Sequence, residues 1–221
     1  MDVDKKKQIL TYSNMSSLEW TKVKDSFYKN KPPFSQKLRK KLFIEVYIFL
    51  QKLNVKAWIT GGTLLGAVRD NDFIEWDDDI DLDLLEPTFL LKMIEIKMGL
   101  IQLGYIVRLI DNTAFPKMVI YKDKMKIAIG SLKESNGLLI RPAYKLPLKF
   151  FKEEKTINFM GLAVLAPYPN EEYLNYVYGK GWRKPKVVED DVQLYTVDYL
   201  RRPLIRVLLK RLYLFVKNFF K

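Results

Sequence analysis

The fold is decided by residues 60–83, which read Thr-Gly-Gly-Thr-Leu-Leu-Gly-Ala-Val-Arg-Asp-Asn-Asp-Phe-Ile-Glu-Trp-Asp-Asp-Asp-Ile-Asp-Leu-Asp. From residue 79 the stretch alternates acidic and aliphatic residues, which is the periodicity of a strand. Residues two apart in a strand share a face, so Asp79, Asp81 and Asp83 are expected on one side, with the aliphatic residues in the core. Neighbouring carboxylates raise one another's pKa, so this face needs a cation or hydrogen-bond donors.

The first half of the stretch predicts an anion-binding turn. Gly61 and Gly62 lie between a predicted strand, 55–60, and a predicted short helix, 63–69. Glycines allow the backbone to approach a phosphate closely, and a helix N-terminus offers free N–H groups. Thr63 adds a hydroxyl, and Arg69 adds a cation for a phosphate oxygen. An anion site followed by a metal-binding acidic strand is what phosphoryl or nucleotidyl transfer requires.

Each half also has an ordinary structural interpretation. A Gly-Gly pair commonly marks only a turn, and an acidic run commonly forms a solvated face. The order strand, Gly-Gly, helix, acidic strand favours a functional site over both. Mg²⁺ suits such a site, because it takes one or two carboxylates and completes its octahedron with water and substrate phosphates.

The composition removes several classes of chemistry. The 221 residues contain neither cysteine nor histidine, which excludes disulfides, thiolate metal sites and nucleophiles activated by histidine. The formal net charge of +12 suggests polyanionic partners. The start of the chain lacks the apolar stretch of a signal peptide, and no run of eighteen apolar residues occurs. We therefore expect the cytoplasm as the compartment.

Three parts are predicted: an extension and linker over 1–33, a main domain over 34–198, and a basic helix over 199–221. Helices are expected from Ser35 to about 53, from Glu86 to about 103 and over 171–178, with strands at 79–84, 105–110, 117–121 and 125–129. Residues 122–124 are expected to form a hairpin turn, and 131–170 reads as loop-rich. The resulting fold class is α/β (α+β), with a small mixed sheet flanked by helices.

The C-terminal segment has its own character. Seven basic residues and no acidic residue occur from Tyr199 to the end, and a stripe of leucine and phenylalanine lies on another helical face. Such a helix suits an anionic membrane surface, which would make the protein peripheral on the inner face of the membrane. The alternatives are an ordinary packed helix and, least favoured, a nucleic-acid contact.

The motifs resemble a known family. Gly-Gly-Thr-Leu-Leu-Gly-Ala-Val-Arg, followed by Phe-Ile-x-Trp-Asp-Asp-Asp-Ile-Asp-Leu, is similar to the signature of the LicD / fukutin-related family, which has the nucleotidyltransferase fold. A second stretch agrees with the family's closing pattern: Pro169, Tyr173-Leu174, Tyr178-Gly179, Trp182 and Pro185. The resemblance spans roughly residues 38–186.

The resemblance implies a phosphotransferase. Members move a phospho-alcohol, such as phosphocholine or ribitol phosphate, from a CDP-activated donor to the hydroxyl of a glycan or lipid-linked glycan. Asp79 and Asp81 would then be catalytic and hold Mg²⁺, for which Mn²⁺ is an alternative. Gly61, Gly62 and Thr63 would lie against the donor phosphates. Asp77 and Asp78 belong to the same motif as substrate-binding candidates.

Two points stay open at this level. Trp76, Tyr178 and Trp182 either pack in the core or shape the cytosine or acceptor site. The family also carries a third acidic residue on a later strand, where this chain has Ala128 or Gly130. Asp83, Asp123 or Glu134 would replace it, or the protein would be a non-catalytic nucleotide-binding relative. A nucleotidyltransferase acting on protein, RNA or a small molecule is the remaining alternative.

Overall fold

The computed structural model describes residues 20–22, 35–111, 113–141 and 144–185. The predicted helix over 199–221 and most of the predicted extension lie outside these residues. No helix among the described residues is long and apolar enough to cross a membrane.

The described elements alternate along the chain. In order, they are α1 Gln36–Lys52, β1 Trp58–Ile59, α2 Gly61–Arg69, β2 Asp79–Leu85, α3 Glu86–Gln102, β3 Ile106–Ile110, β4 Lys117–Lys122, β5 Met125–Ser135, β6 Leu138–Ile140, β7 Lys145–Pro147, α4 Lys149–Lys152, β8 Thr156–Phe159, β9 Leu162–Leu165 and α5 Asn170–Tyr178. This confirms the predicted mixed fold of helices on a sheet.

The sheet is mixed, and its central strand is β2. The strand order is β3-β4-β5-β2-β1-β9-β8, with β6 and β7 continuing from the far end of β5. β2 runs parallel to β5 and antiparallel to β1. The acidic strand is therefore paired on both edges, and α2 and α3 pack against it.

The helix predictions hold closely. Ser35 caps α1, since its hydroxyl accepts a hydrogen bond from the N–H of Leu38 at 3.3 Å. Leu42, Val46 and Leu50 form the buried stripe of α1. α2 begins at Gly61, two residues before the predicted start, because Gly61 itself enters the helix with φ +54°.

The interpretation of 131–170 as loop-rich was wrong. β5 continues past Ile129 to Ser135, and β6 to β9 and α4 follow in the same region. The strands have only three or four residues each after β5, which is too short for a periodicity to show. The turn predicted at 122–124 is confirmed, with Asp123 and Lys124 both at positive φ between β4 and β5.

The core side of β2 supports the fold. Ile80, Leu82 and Leu84 are fully buried between the sheet and its helices. Leu84→Ala should lower the free energy of unfolding by about 2–5 kcal/mol, because it removes a packed side chain and leaves a cavity. Urea denaturation followed by circular dichroism measures this change.

The control is Leu91→Ala on α3, where the leucine is 80% exposed. It should change the unfolding free energy by less than about 0.5 kcal/mol. Equal losses from the two variants would contradict the assigned orientation of β2.

Candidate active site

The acidic face of β2 carries three aspartates with different surroundings. Asp79 and Asp81 are partly buried, whereas Asp83 is completely buried. The alternation predicted from the sequence is therefore present. Asp79, Asp81 and Asp83 form an acidic row, and its Asp83 end is buried in the protein interior. What lies beside each aspartate decides its chemistry.

Strand β5 supplies the neighbours on one side. Its parallel register places Lys126 beside Asp79, Ala128 beside Asp81 and Gly130 beside Asp83. None of these residues is acidic, so the gap expected for the third carboxylate is present in the structure. Asp123 lies in the β4–β5 turn, and Glu134 is exposed and paired opposite Leu139, so neither is on the stretch of β5 that pairs with β2.

Lys126 is bound to the acidic cluster. Its Nζ lies 2.7 Å from Asp79 Oδ2 and 3.7 Å from Asp78 Oδ1. The side chains of Lys126 and Asp79 are each about one-fifth exposed, so the pair is only partly screened by water. One end of the acidic row is thus neutralised by a lysine from the neighbouring strand.

Asp83 is bound at the other end of the row. Its Oδ2 accepts hydrogen bonds from the Thr60 hydroxyl and from Arg141 Nη1, both at 2.7 Å. Gly130 makes this possible, because a Cβ there would overlap the Asp83 carboxylate. Asp83 therefore has a hydrogen-bonded environment of its own at Oδ2, separate from the cluster of residues 77–79.

The predicted glycines pack directly against the carboxylates. A Cβ at Gly61 would overlap Asp81 Oδ2, and a Cβ at Gly62 would overlap Asp77 Oδ2. The positive φ of Gly61 is a second reason for glycine at that position. The start of α2 and the acidic face therefore meet in van der Waals contact, and any larger residue would separate them.

Thr63 and Arg69 lie at opposite ends of α2, and both side chains make contacts within the protein. The Thr63 hydroxyl is buried and accepts a hydrogen bond from the Asp81 N–H at 2.9 Å, which ties α2 to β2. Arg69 donates to both carboxylate oxygens of Asp70, at 2.8 and 2.6 Å. The structure brings Gly61, Gly62 and the aspartates together, and it places Arg69 in an ion pair at the other end of α2.

Residues 77–79 form the tightest acidic cluster of the described residues. One carboxylate oxygen from each of Asp77, Asp78 and Asp79 lies within 4.8 Å of the others, a spacing that could hold a metal ion. The pKa of Asp77 is raised to about 7, first by burial and then by the charge of Asp79. Burial and Asp79 also raise the pKa of Asp81 well above its ordinary value.

Arg39 organises the loop that leads into this cluster. Its buried guanidinium, on α1, donates to the backbone oxygens of Ile74, at 2.6 Å, and of Asp77. The sequence contained a signal for it, because Arg39 occupies a core-facing position of the α1 stripe, three residues before Leu42. A basic residue at such a position indicates a buried partner. Sequence reasoning missed Arg39, as it missed Lys126 and Arg141.

The three aromatic residues divide between core and surface. Trp182 is buried and Tyr178 is partly buried against the core, which agrees with the first alternative, packing in the core. Trp76 is 44% exposed, directly before the acidic cluster, so packing in the core does not explain it.

Fold and site together define a nucleotidyltransferase-type domain with an acidic strand beside a glycine-rich helix start. The family model described as "LicD/FKTN/FKRP, nucleotidyltransferase domain" matches residues 54–169, just over half of the chain. The chain belongs to this family, which confirms the resemblance seen in the sequence.

Two relatives show the range of the match. A Rickettsia prowazekii protein of uncharacterised function, RP689, is 28% identical over 158 residues, covering 66% of this chain and 56% of the relative. Human ribitol 5-phosphate transferase FKRP is 24% identical over 144 residues, covering 60% of this chain and 29% of FKRP. The chain thus spans about half the length of the first relative and less than a third of the second.

One solved structure resembles this chain, with a lower sequence identity than the two relatives. The antibiotic-resistance factor ANT(2'')-Ia has a TM-score of 0.49 and 15% sequence identity, covering 72% of this chain and 80% of its own.

The raised pKa of Asp77 has a consequence for stability. The folded protein keeps a proton on this carboxyl up to about pH 7, whereas the unfolded chain loses it near pH 3.8. The metal-free protein should therefore lose stability as the pH rises from 5 to 7.5. The chain has no histidine, so the slope comes mainly from Asp77 and from Asp81, whose pKa is raised in the same direction. Thermal unfolding at several pH values measures the slope.

Asp77→Asn should flatten this slope, because the amide has no proton to lose. Mg²⁺ should raise the unfolding temperature more at pH 7.5 than at pH 5, since a dication favours the ionised carboxylates. A metal-free protein that gains stability between pH 5 and pH 7.5 would contradict the assignment.

Lys126 should compete with a divalent cation for Asp79. Lys126→Met should strengthen Mn²⁺ binding by about tenfold, because it removes a positive charge 2.7 Å from Asp79 Oδ2. Titration followed by electron paramagnetic resonance of free Mn²⁺ gives the affinity.

Lys122→Met is the matched control. Lys122 has the same partial exposure as Lys126 but pairs with Glu45, at 3.0 Å. Its replacement should leave the Mn²⁺ affinity unchanged, and weaker Mn²⁺ binding by the Lys126 variant would show that this lysine does not oppose the metal.

Proposed function

We propose that this chain is a Mg²⁺-dependent phosphotransferase that moves a phospho-alcohol from a CDP-activated donor to a glycan hydroxyl. The observation that carries the proposal is the convergence of the carboxylates of residues 77–79 beside the glycines that begin α2. Family membership supports the transfer of a phosphorus-containing group. The name of the human relative supports a phospho-alcohol as the group moved.

The residues present fit a divalent metal ion. Several carboxylates share a small volume, and burial, followed by the charge of Asp79, raises the pKa values of Asp77 and Asp81. Hard carboxylate oxygens are the ligands that Mg²⁺ and Mn²⁺ prefer. Asp79 and Asp81 are the proposed ligands on β2, with Asp77 and Asp78 within reach. When bound, the metal would neutralise negative charge on the donor diphosphate.

The start of α2 is the proposed contact for the donor phosphates. Thr60 stands at the N-cap position, but its side chain makes no capping hydrogen bond, because its hydroxyl donates to Asp83 instead. The N-cap side chain therefore accepts no hydrogen bond from the first N–H groups of α2. Together with the helix dipole they favour an anion. Gly61 and Gly62 allow that anion to approach the backbone.

The transfer itself is a displacement at phosphorus. The acceptor hydroxyl oxygen forms a bond to the phosphorus that bears the alcohol. The bond from that phosphorus to the bridging oxygen breaks, and its electron pair leaves with CMP. The hydroxyl proton is released. The products are CMP and a phosphodiester that joins the alcohol to the glycan. The protein's part is to hold donor and acceptor in line and to compensate charge.

A second candidate is a nucleotide-binding relative without turnover. It is favoured by one observation: Lys126, Ala128 and Gly130 occupy the positions on β5 beside the three aspartates. A carboxylate there would complete a metal shell or accept the hydroxyl proton. Binding and turnover must therefore be measured separately.

The decisive assay incubates the full chain with Mg²⁺ and either CDP-alcohols, among them CDP-choline and CDP-ribitol, or nucleoside triphosphates. CMP release that requires a glycan acceptor is the expected result. Pyrophosphate release from a triphosphate would instead indicate a nucleotidyltransferase. Donor binding without turnover would support the non-catalytic candidate.

Asp79→Asn should reduce any turnover by about 100-fold or more, because it removes a charged ligand of the proposed metal. Asp123→Asn is the control, since Asp123 lies in the β4–β5 turn. Both variants should unfold at temperatures close to that of the parent protein. Full activity in Asp79→Asn would remove the metal assignment.

A further inference from the structure

Arg141 reaches the acidic face from outside the central sheet. It follows β6, and its backbone N–H donates to the carbonyl oxygen of Tyr144 at 3.0 Å. β6 pairs only with the outer part of β5 and with β7 among the described residues. The side chain of Arg141 nevertheless reaches Asp83, which lies 58 residues earlier in the sequence.

The guanidinium is anchored through a single nitrogen. Nη1 donates to Asp83 Oδ2 and to the Tyr144 hydroxyl, both at 2.7 Å. The Tyr144 ring supports the group from one side, with its centroid 5.1 Å from Cζ. Nε and Nη2 donate to no acceptor in the described part of the chain, and one-fifth of the side chain is exposed. A fixed guanidinium with available donors is suited to a planar oxyanion such as phosphate.

The surroundings of Arg141 are those of the active site. Its charge acts on Asp81 as well as on Asp83. Lys126 stands at the Asp79 end of the row and Arg141 at the Asp83 end, with Asp81 between them. Among the described residues, no basic group lies within ion-pair distance of Asp81. The row therefore has a lysine at the Asp79 end, an arginine at the buried Asp83 end, and Asp81 between them without an ion-pair partner among the described residues.

From this arrangement we propose that Arg141 is a phosphate-binding residue that holds an oxygen of the donor diphosphate through Nε and Nη2. Asp83 and Tyr144 are positioning residues that fix the guanidinium, and Gly130 leaves room for Asp83 to do so. The inference rests on the proposed function for the identity of the donor, but it concerns the phosphates alone.

A purely structural ion pair between Asp83 and Arg141 would have different consequences. Replacing either partner would then have the same effect. It would weaken the binding of every ligand, because it would destabilise the folded protein. A phosphate-binding arginine matters more than its anchor, and its loss weakens only ligands that carry phosphate. These differences decide the design of the experiment.

The experiment measures binding of CDP, inorganic pyrophosphate and cytidine to the full chain in Mg²⁺, by calorimetry. Arg141→Gln should weaken CDP and pyrophosphate binding by about tenfold or more and leave cytidine binding unchanged. Arg141→Lys should recover part of the loss, because it keeps the charge without the planar donors. Asp83→Asn should weaken CDP and pyrophosphate binding less than Arg141→Gln does, since the guanidinium remains.

Controls separate this result from loss of fold. Arg183→Gln removes an exposed arginine that pairs with Glu171 at 2.5 Å, and it should leave all three affinities unchanged. Tyr144→Phe removes one anchor without leaving a buried charge unpaired, and it should give an intermediate loss of pyrophosphate binding even if Arg141→Gln fails to fold.

The outcomes also distinguish this inference from the proposed function. Pyrophosphate binding that depends on Arg141 supports the inference even if no CDP-alcohol is turned over. Equal losses for cytidine and CDP, equal losses in Asp83→Asn and Arg141→Gln, or no pyrophosphate binding by the parent protein would each overturn it.

Discussion

The mutual repulsion of the aspartates on the acidic face of β2 is the constraint on which the rest of the site depends. Three carboxylates on one strand face cannot all stay ionised in a half-buried setting without compensation. The protein compensates them differently along the row. Lys126 pairs with Asp79 at one end, and Thr60 and Arg141 bind Asp83 at the other. Asp81 lies between these pairs, and burial together with the charge of Asp79 raises its pKa well above the ordinary value.

The need to bring neighbouring groups close to these carboxylates explains why glycines lie beside the acidic row. Gly61, Gly62 and Gly130 each contact an aspartate at a distance where a Cβ would overlap the carboxylate. Three separate elements, α2 and the two neighbouring strands β2 and β5, can therefore approach until their polar groups meet. The glycines of the Gly-Gly motif thus have a packing role, because a side chain at either position would take the space of a carboxylate.

Local patterns were sufficient where an element carries a long, regular signal. The stripe of α1, the alternation of β2 and the turn at Asp123 and Lys124 were all predictable from neighbouring residues. The short strands β6 to β9 were not, since three or four residues show no periodicity and gain their stability from pairing. β5 passes through Gly130 and Ser131, residues with low strand propensity, because β2 pairs with it along this stretch.

The sequence by itself determined the family, the mixed fold and the presence of an acidic strand after a Gly-Gly helix start, since motifs and long periodic elements can be recognised from neighbouring residues. Only the tertiary structure decided how the aspartates differ. The parallel register of β2 and β5 brings Lys126 to Asp79, and the chain returns after β6 to bring Arg141 to Asp83. Charge interactions act through space, so residues 47 and 58 positions away along the chain decide which carboxylates are paired with a cation.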